Sequence, residues 1–571
     1  MKGKHNLANN LFASVPGKHD QPRRQQRRAK RMQRLRTYLV SFGFLLLAAG
    51  ILWVWAARLS PPKPPLPSVI LVPLDSRPVN TDLPAQLAAI AGISVTMPNQ
   101  ESLDQFLAPG KSQALFSWLA GRNESGYGVT ILHINELLFG GLLHSRESAQ
   151  YLDAAVKLQS LHDYLLRRER LSGNELILVY ILPRLLPSQY DEDMWVYEKE
   201  LPALSQLKHR QALEPGNADL AEQIRVLEGS IPREIKQRYE LVYTEAFNTG
   251  LSLLDWLDRG LADEVVIGLD DSAEYGFSVK AFRDLKSRAA QSNQGRAYFL
   301  HGADELTPLI IARHCLDYGG GSESFALRYL SEEGVEALLP YEALPLADNF
   351  REKAAYLYDG KSRGSGKQKY IYLFTDQNAH AEELKETWRK LRADRARFSG
   401  ALLGLADVAK PNGAWTPLIE NAGPDRVYDY VDAYAGWNTA GNSLGSVMAH
   451  LLYWEYAQSF SGQERKDAVF RHKSLQKLRI IDDYFFQSIV RQELIGWTVE
   501  EGFPYLTFGS RWMEANDMLQ DMMEKALMPW PKLKPPPSPG QSGQPLYQFR
   551  FPWPRSFEIR VSVSMRDALA K

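Results

Sequence analysis

Short apolar runs alternate with helical stretches along most of the chain. Ten of these runs predict β-strands: VILVPLD, ISVTMP, VTILHI, ELILVYIL, EVVIGLDD, AYFLHG, FALRYL, KYIYLF, ALLGLADV and YVDAYAG. Most of them are apolar at every position instead of at every second one, which is typical of strands covered by helices on both faces. The pattern therefore predicts an α/β fold with parallel sheets.

Ten strands exceed the eight of a simple (β/α) barrel. We therefore expect two Rossmann-like sheets, with residues 68–260 forming a first α/β domain that ends in a helical region and residues 261–528 forming a second; an elaborated (β/α) barrel is the alternative. A proline-rich linker over 529–545 precedes residues 546–571, where SFEIRVSVSM alternates apolar and polar side chains. That alternation predicts a half-buried strand in a small C-terminal β element.

An uncharged segment precedes this body. Residues 37–57, TYLVSFGFLLLAAGILWVWAA, lack any charged side chain, and a helix of this length, rising about 1.5 Å per residue, reaches across a hydrocarbon core of about 30 Å. Basic side chains lie before it and a proline-rich spacer, residues 58–67, follows it. We expect a single-pass anchor in the cell membrane, with residues 1–36 as a cytoplasmic tail and the body on the extracytoplasmic side. A cleaved signal peptide is the alternative.

The formal net charge of zero conceals a division between tail and body. Residues 1–36 carry eleven Lys and Arg against one Asp, so the tail is about +10 and the remainder about −10. An acidic body is unsuited to a phosphate backbone, which argues against nucleic acid as a partner. Cys315 is the single cysteine of the sequence, which excludes an internal disulfide and a multi-cysteine metal site.

Polar side chains follow several of the predicted strands, where ligands bind in parallel α/β sheets. The candidates for acid–base catalysis are Asp270, Asp271, Asp304 and Glu305, and the candidates for ligand binding are Asp75, Arg77, Asn80, Tyr275, Asn412, Trp437 and Asn438. Helix capping is the alternative role for each Asp and Asn. Successive strand side chains point to opposite faces, so only one of Asp270 and Asp271 is expected to enter the site while the strand stays regular.

The stretch SVILVPLDSRPVN, residues 68–80, ends a buried strand in a polar turn. Pro78 disfavours helix at Arg77, so the chain should leave the strand abruptly and present its side chains. Arg77 is then expected to lie close to Asp75. Its guanidinium would keep a neighbouring carboxylate ionised or bind an anionic group. The alternative is a structural ion pair that anchors the turn.

Carboxylates, amides and aromatic rings are the expected contents of the site. Paired carboxylates with different pKa values act as acid and base on a glycosidic bond. The first hypothesis is therefore a hydrolase of envelope or environmental glycans, with Asp270 or Asp271 acting together with Asp304 or Glu305. No zinc-protease, P-loop or dinucleotide-binding motif is present in the sequence, which argues against those classes.

Two further hypotheses stay open at this stage. In the second, metal-assisted hydrolysis, a divalent cation activates water and is bound by Asp75, Asp271, Asp304 and His301. The third is a non-catalytic protein that binds a glycan or another small envelope ligand, or an envelope scaffold. Carboxylates clustered at separate strand ends favour an enzyme.

Eight segments in a fixed order are similar to a known family: VPLDSRPVN, FGGLLHSR, GLDDSAEYG, HGADE, ADVAKPNGA, YAGWNTAGNSLG, IIDDYFFQ and PWPRSFEI. Together they span residues 68–564 and resemble the bacterial family catalogued as domain of unknown function 4127. The family usually has Asp-Asp-Arg-Pro where this chain has Ser76 after Asp75, and Asn-Gly-Ala-Asp where it has Trp415. The resemblance implies no particular activity, and both departures remove a carboxylate.

Overall fold

The structure, a computed structural model, describes residues 30–39, 42–43, 47, 68–122, 127–168, 174–292, 296–331, 338–359, 366–503, 506–535 and 544–566. The described residues divide into two units, one within residues 1–65 and one within residues 66–571. In the first unit, residues 30–39 are helical. None of the described helices is both long and apolar enough to cross a membrane, and most of the expected span 37–57 lies outside the described residues.

Six parallel strands form the larger sheet, in the order β2-β1-β3-β4-β5-β6. They are β1 (Ser68–Val72), β2 (Val95–Thr96), β3 (Tyr127–His133), β4 (Glu175–Leu182), β5 (Glu264–Leu269) and β6 (Arg296–His301). Strand β5 is buried at all its positions and β4 at all but the first. Burial on both faces explains why these strands appear in the sequence as continuous apolar runs.

Four parallel strands form the smaller sheet, in the order β10-β9-β8-β7. They are β7 (Phe325–Tyr329), β8 (Lys369–Phe374), β9 (Leu402–Asp407) and β10 (Ala433–Ala435). Each of the ten predicted runs overlaps one of these ten strands. The α/β prediction with parallel sheets covered by helices is confirmed, and these ten strands form two open sheets instead of the barrel that was the alternative.

Helices follow most strands of both sheets. The described α-helices of the second unit are α1 (Asp82–Ile90), α2 (Ser112–Ala120), α3 (Ile134–Phe139), α4 (Ala154–Arg167), α5 (Glu192–Trp195), α6 (Glu200–Leu213), α7 (Ala218–Ser230), α8 (Arg233–Asp258), α9 (Phe277–Ala289), α10 (Leu306–Cys315), α11 (Leu346–Tyr358), α12 (Ala381–Arg397), α13 (Thr416–Ala422), α14 (Ala440–Ala457), α15 (Gly462–Ile480), α16 (Arg491–Glu500) and α17 (Trp512–Leu527). A π-helical segment, Ile481–Val490, joins α15 to α16.

The predicted domain boundary at residue 260 falls inside the larger sheet. Strands β5 and β6 follow that residue, yet β5 pairs in parallel with β4, with Ile177 opposite Glu264. Helices α5 to α8 therefore form a long crossover within one sheet. In the sequence, a helical stretch of this length resembles a connection between two domains. The pairing of β4 with β5 joins residues that are far apart in the sequence, so no local pattern shows it. One apolar cluster also contains Ile177 of the larger sheet and Ile371 of the smaller one, so the two sheets share a core.

The C-terminal β element is a two-stranded antiparallel sheet of β11 (Gln544–Arg550) and β12 (Arg560–Arg566). Part of the predicted linker, residues 536–543, lies outside the described residues. Residues 551–559, here called the C-terminal segment, connect the two strands. Within this segment, Trp553 Nε1 donates a hydrogen bond to Ser76 Oγ at 3.0 Å. The C-terminal segment thus packs against the loop that follows β1.

Candidate functional site

An arginine between two carboxylates organises the loop that follows β1. Arg77 Nε donates to Asp75 Oδ2 at 2.8 Å, and Arg77 Nη2 donates to Asp304 Oδ1 at 2.6 Å. Asn80 Nδ2 donates to the same two carboxylates, at 2.8 and 2.9 Å. All four side chains are buried. Arg77 therefore lies close to Asp75, as expected, and it also contacts Asp304 in the loop after β6. We call these four residues the Arg77 knot.

Side chains from the smaller sheet complete the surroundings of Asp304. Asn438, in the loop after β10, donates from Nδ2 to Asp304 Oδ2 at 3.1 Å. Asn412, in the loop after β9, donates its backbone N–H to the Asn438 carbonyl at 2.8 Å. Burial raises the pKa of Asp304 to about 6, although the Arg77 charge opposes this rise. The carboxyl ends of both sheets thus meet at one carboxylate that already has several donors.

A cavity of about 160 Å³ lies beside the Arg77 knot. Six predicted residues line it: Arg77, Asp270, Asp271, Asp304, Asn412 and Asn438. Four aromatic rings line it as well: Tyr190, Trp195, Tyr341 and Phe557. The cavity therefore combines charged, amide and aromatic groups in a single space. We call it the main cavity.

Asp270 and Asp271 both line the main cavity, contrary to the expectation that only one would enter the site. Strand β5 ends at Leu269, so both residues lie beyond the regular strand and its alternation no longer applies. Asp270 is buried and forms an ion pair with Arg146. Within the described part of the chain, no hydrogen-bond donor contacts the carboxyl group of Asp271. Burial, reinforced by the Asp270 charge, raises the pKa of Asp271 to about 7.

Three predicted side chains lie elsewhere. Glu305 is fully buried and forms an ion pair with Lys353 at 3.1 Å, outside the lining of the main cavity. Tyr275 lies outside the lining too, and its ring packs edge-on against His209 at 5.6 Å. Trp437 lines a second, neighbouring cavity. Glu305 therefore acts as the partner of a buried lysine in this fold.

The second cavity, of about 80 Å³, shares Arg77 and Phe557 with the main cavity. Asp482, at the start of the π-helical segment, lines it, and the carboxyl oxygen Oδ1 of Asp482 is buried without a hydrogen-bond partner. Burial raises the pKa of Asp482 to about 7, against the opposing charge of Arg479. Short π-helical segments often occur at functional sites. The sequence reasoning missed Asp482, although IIDDYFFQ was among the segments that carried the family resemblance.

Three arginines that the sequence reasoning did not select also line the main cavity: Arg146, Arg184 and Arg555. Arg146 belongs to FGGLLHSR and Arg555 to PWPRSFEI, so the family segments pointed to both. Arg184 follows the end of β4 by two residues. The rule that ligands bind beyond strand ends would have identified Arg184, whereas the positions of Arg146 and Arg555 depend on tertiary packing.

Two buried acids lie beneath the Arg77 knot. Asp104 Oδ1 accepts the Ser76 backbone N–H at 2.6 Å, and Glu136 Oε1 accepts the Asp104 backbone N–H at 2.9 Å. The other oxygens, Asp104 Oδ2 and Glu136 Oε2, are buried without a donor. Burial raises the pKa of both groups, that of Asp104 to about 7. The pair therefore retains a proton near neutral pH while it supports the loop after β1.

The donor set expected for a divalent cation does not assemble. Asp75 and Asp304 both bind Arg77, and His301 Nδ1 contacts Glu352 at 2.9 Å. Among the described residues, no group of three or more His, Cys, Asp or Glu side chains is arranged to hold a metal ion. A guanidinium between two of the expected ligands repels a cation. The residues present thus do not fit the cation site of the second hypothesis.

Comparison with known proteins assigns the family. Residues 69–562 match the family model described as "Protein of unknown function (DUF4127)". The chain belongs to this family. Neither the search of curated proteins nor the search of solved structures finds a match. At the two positions where this DUF4127 protein departs from the expected family pattern, the side chains have uncharged partners: the Ser76 hydroxyl accepts the Trp553 indole N–H, and the Trp415 ring stacks on Phe374 with ring centroids 5.4 Å apart.

Proposed function

We propose that this DUF4127 protein is a carboxylate-dependent hydrolase that cleaves a glycosidic bond in the main cavity. The observation that supports this proposal is Asp271, a carboxyl group without a hydrogen-bond donor that lines a cavity and has a pKa of about 7. A general acid or base works best when its pKa lies near the operating pH. Perturbed carboxyl groups in clefts are also characteristic of functional sites.

Asp270 and Asp271 divide the roles of base and acid in this proposal. Protonated Asp271 donates its proton to the glycosidic oxygen as the bond from that oxygen to the anomeric carbon breaks. Asp270, ion-paired with Arg146, accepts a proton from the water that attacks the anomeric carbon. The amides of Asn412 and Asn438, which line the same cavity, would bind sugar hydroxyls. Two carboxyl groups with different environments are the usual acid–base pair of glycoside hydrolysis.

The release of reducing ends from defined polymers tests this proposal. Full-length protein is incubated with peptidoglycan, a neutral β-glucan and polygalacturonate, between pH 5 and 9. We expect hydrolysis of at least one polymer, a rate that falls as the pH rises through about 7, and a loss of 100-fold or more in Asp271→Asn. Asp521→Asn, at an exposed position of α17, is the matched control and should retain the wild-type rate.

Two results would contradict the hydrolase. The first is an Asp271→Asn variant as active as wild type. The second is wild-type protein that binds one of these polymers in a sedimentation assay without cleaving any of them. The second result would favour the non-catalytic binding protein, for which the absence of carboxylates at Ser76 and Trp415 is the supporting observation.

We also propose that the body is held outside the cell membrane by residues 37–57. The support is the charge pattern of the sequence, with eleven Lys and Arg before the uncharged stretch. Protease added to intact cells should digest the body and spare a tag fused to residue 1. Digestion of the tag with a protected body would reverse the proposed orientation.

A further inference from the structure

Four guanidinium groups line the main cavity, and three of them have carboxylate partners. Arg77 lies 2.6 Å from Asp304, Arg146 pairs with Asp270, and Arg555 lies 2.7 Å from Glu558. These three cations are therefore compensated within the protein. The fourth guanidinium, that of Arg184, forms no ion pair with any described carboxylate.

Arg184 has only carbonyl partners in the described part of the chain. Its Nε donates to the Leu186 carbonyl and its Nη2 to the Pro187 carbonyl, both at 3.3 Å. No described carboxylate lies within ion-pair distance of this guanidinium. Burial and the positive charge of Arg146 lower the pKa of Arg184 to about 10, although the charges of Asp271 and Asp270 oppose this fall. Because this half-buried guanidinium has no direct contact with a described carboxylate, an oxyanion bound between the two arginines would gain charge-assisted hydrogen bonds.

The backbone around Arg184 is fixed in place. Tyr243 donates its hydroxyl to the Arg184 carbonyl at 2.8 Å, and Tyr239 donates to the Leu185 carbonyl at 2.7 Å. The Leu185 N–H donates to the Asp271 carbonyl at 2.9 Å. This last bond ties the loop after β4 to the loop after β5. Arg184 is thus preorganised beside the proposed acid, which reduces the entropy lost on binding.

We propose that Arg184 and Arg146 form a subsite for an oxyanion carried by the ligand, such as a carboxylate or a sulfate or phosphate ester on a sugar. This inference rests on the proposed function, because it makes the substrate an acidic glycan and places its anionic group next to Asp271. A planar guanidinium presents paired N–H donors that match an oxyanion.

Equilibrium binding of small probes tests the subsite independently of catalysis. Full-length protein is titrated calorimetrically with galacturonate, glucose 6-phosphate, inorganic phosphate and neutral galactose. We expect at least one of the anions to bind at least 10-fold more tightly than galactose, and Arg184→Gln to lose 10-fold or more of that affinity, because a hydrogen bond to a charged group is lost. Arg184→Lys keeps the positive charge but loses the planar pair of donors, so its affinity for the anion should lie between those of the wild type and Arg184→Gln. Selectivity among the anions identifies the oxyanion.

Controls separate this proposal from a folding defect and from the hydrolase itself. Arg283→Gln, at an exposed position of α9, should bind as wild type does, and Arg184→Gln without ligand should unfold at the wild-type temperature or above. Asp271→Asn should lose hydrolysis yet keep anion binding. Anions that bind no better than galactose, or that bind equally to wild type and Arg184→Gln, would overturn the subsite. Anion binding without hydrolysis would overturn the hydrolase alone.

Discussion

Replacing Asp271 with Asn should stabilise the protein at alkaline pH and leave its stability unchanged at pH 4. The pKa of Asp271 is about 7 in the folded protein against an ordinary value of 3.8, because burial and the Asp270 charge disfavour the ionised form. The folded state therefore binds this proton more tightly than the unfolded state does. Its contribution to stability is complete below about pH 4 and is lost as the pH rises through about 7.

The size of this effect follows from the two pKa values. They differ by about 3, and each pKa unit corresponds to about 1.4 kcal/mol, so the free energy of unfolding of the wild type should fall by on the order of 4 kcal/mol between pH 4 and pH 8 through this group. Asn is neutral throughout this range and carries no such cost. The free energy of unfolding of Asp271→Asn should therefore exceed that of the wild type by about zero at pH 4 and by about 4 kcal/mol at pH 8.

Urea unfolding of the full-length chain, followed by tryptophan fluorescence at several pH values, measures this difference. Asp521→Asn, at an exposed position, should track the wild type at every pH. A difference between Asp271→Asn and wild type that does not change with pH would refute the reasoning, as would a less stable variant at pH 8. A residue that lowers stability and yet is present is expected where function requires it.

Two further changes test the packing around the site. Arg77→Lys keeps a charge between Asp75 and Asp304 but loses the planar fork, so we expect the free energy of unfolding in urea to drop by about 2 kcal/mol; an unchanged value would mean that the knot does not brace the loop. Trp553→Phe removes the donor to Ser76 Oγ and should cost about 1 kcal/mol. It should also speed limited proteolysis within the C-terminal segment, and cleavage at the wild-type rate would contradict this contact.

The strands could be predicted because burial on both faces produces a run of consecutive apolar residues in the sequence. Parallel strands covered on both faces must be apolar at nearly every position, and β4 and β5 show this plainly. The sequence of a strand does not show which other strand pairs with it. The pairing of β4 with β5 spans helices α5 to α8, and nothing within those helices shows that the chain returns to the same sheet. The misplaced boundary at residue 260 has this cause.

Some residues of the candidate site could likewise be predicted from the local sequence, whereas others depend on tertiary packing. Asp271 and Asp304 follow strands directly, so the rule for parallel sheets found them. Arg146 and Arg555 reach the main cavity from a short 3₁₀ turn and from the C-terminal segment, whose positions are set by packing. Glu305 illustrates the opposite case, because it also follows a strand but meets Lys353 in the core. A strand end brings a side chain near the site, and tertiary partners decide whether it faces the cavity.

The serine at position 76, where the family resemblance leads us to expect an aspartate, has a physical rationale in this setting. Ser76 is buried against Asp104 and lies next to Asp75, with Glu136 close behind. A further carboxylate here would add negative charge to a region where burial already raises the pKa of two acids. A serine hydroxyl still accepts the Trp553 indole N–H without that charge. The contact between the C-terminal segment and the loop after β1 is therefore retained without the energetic cost of one more buried acid.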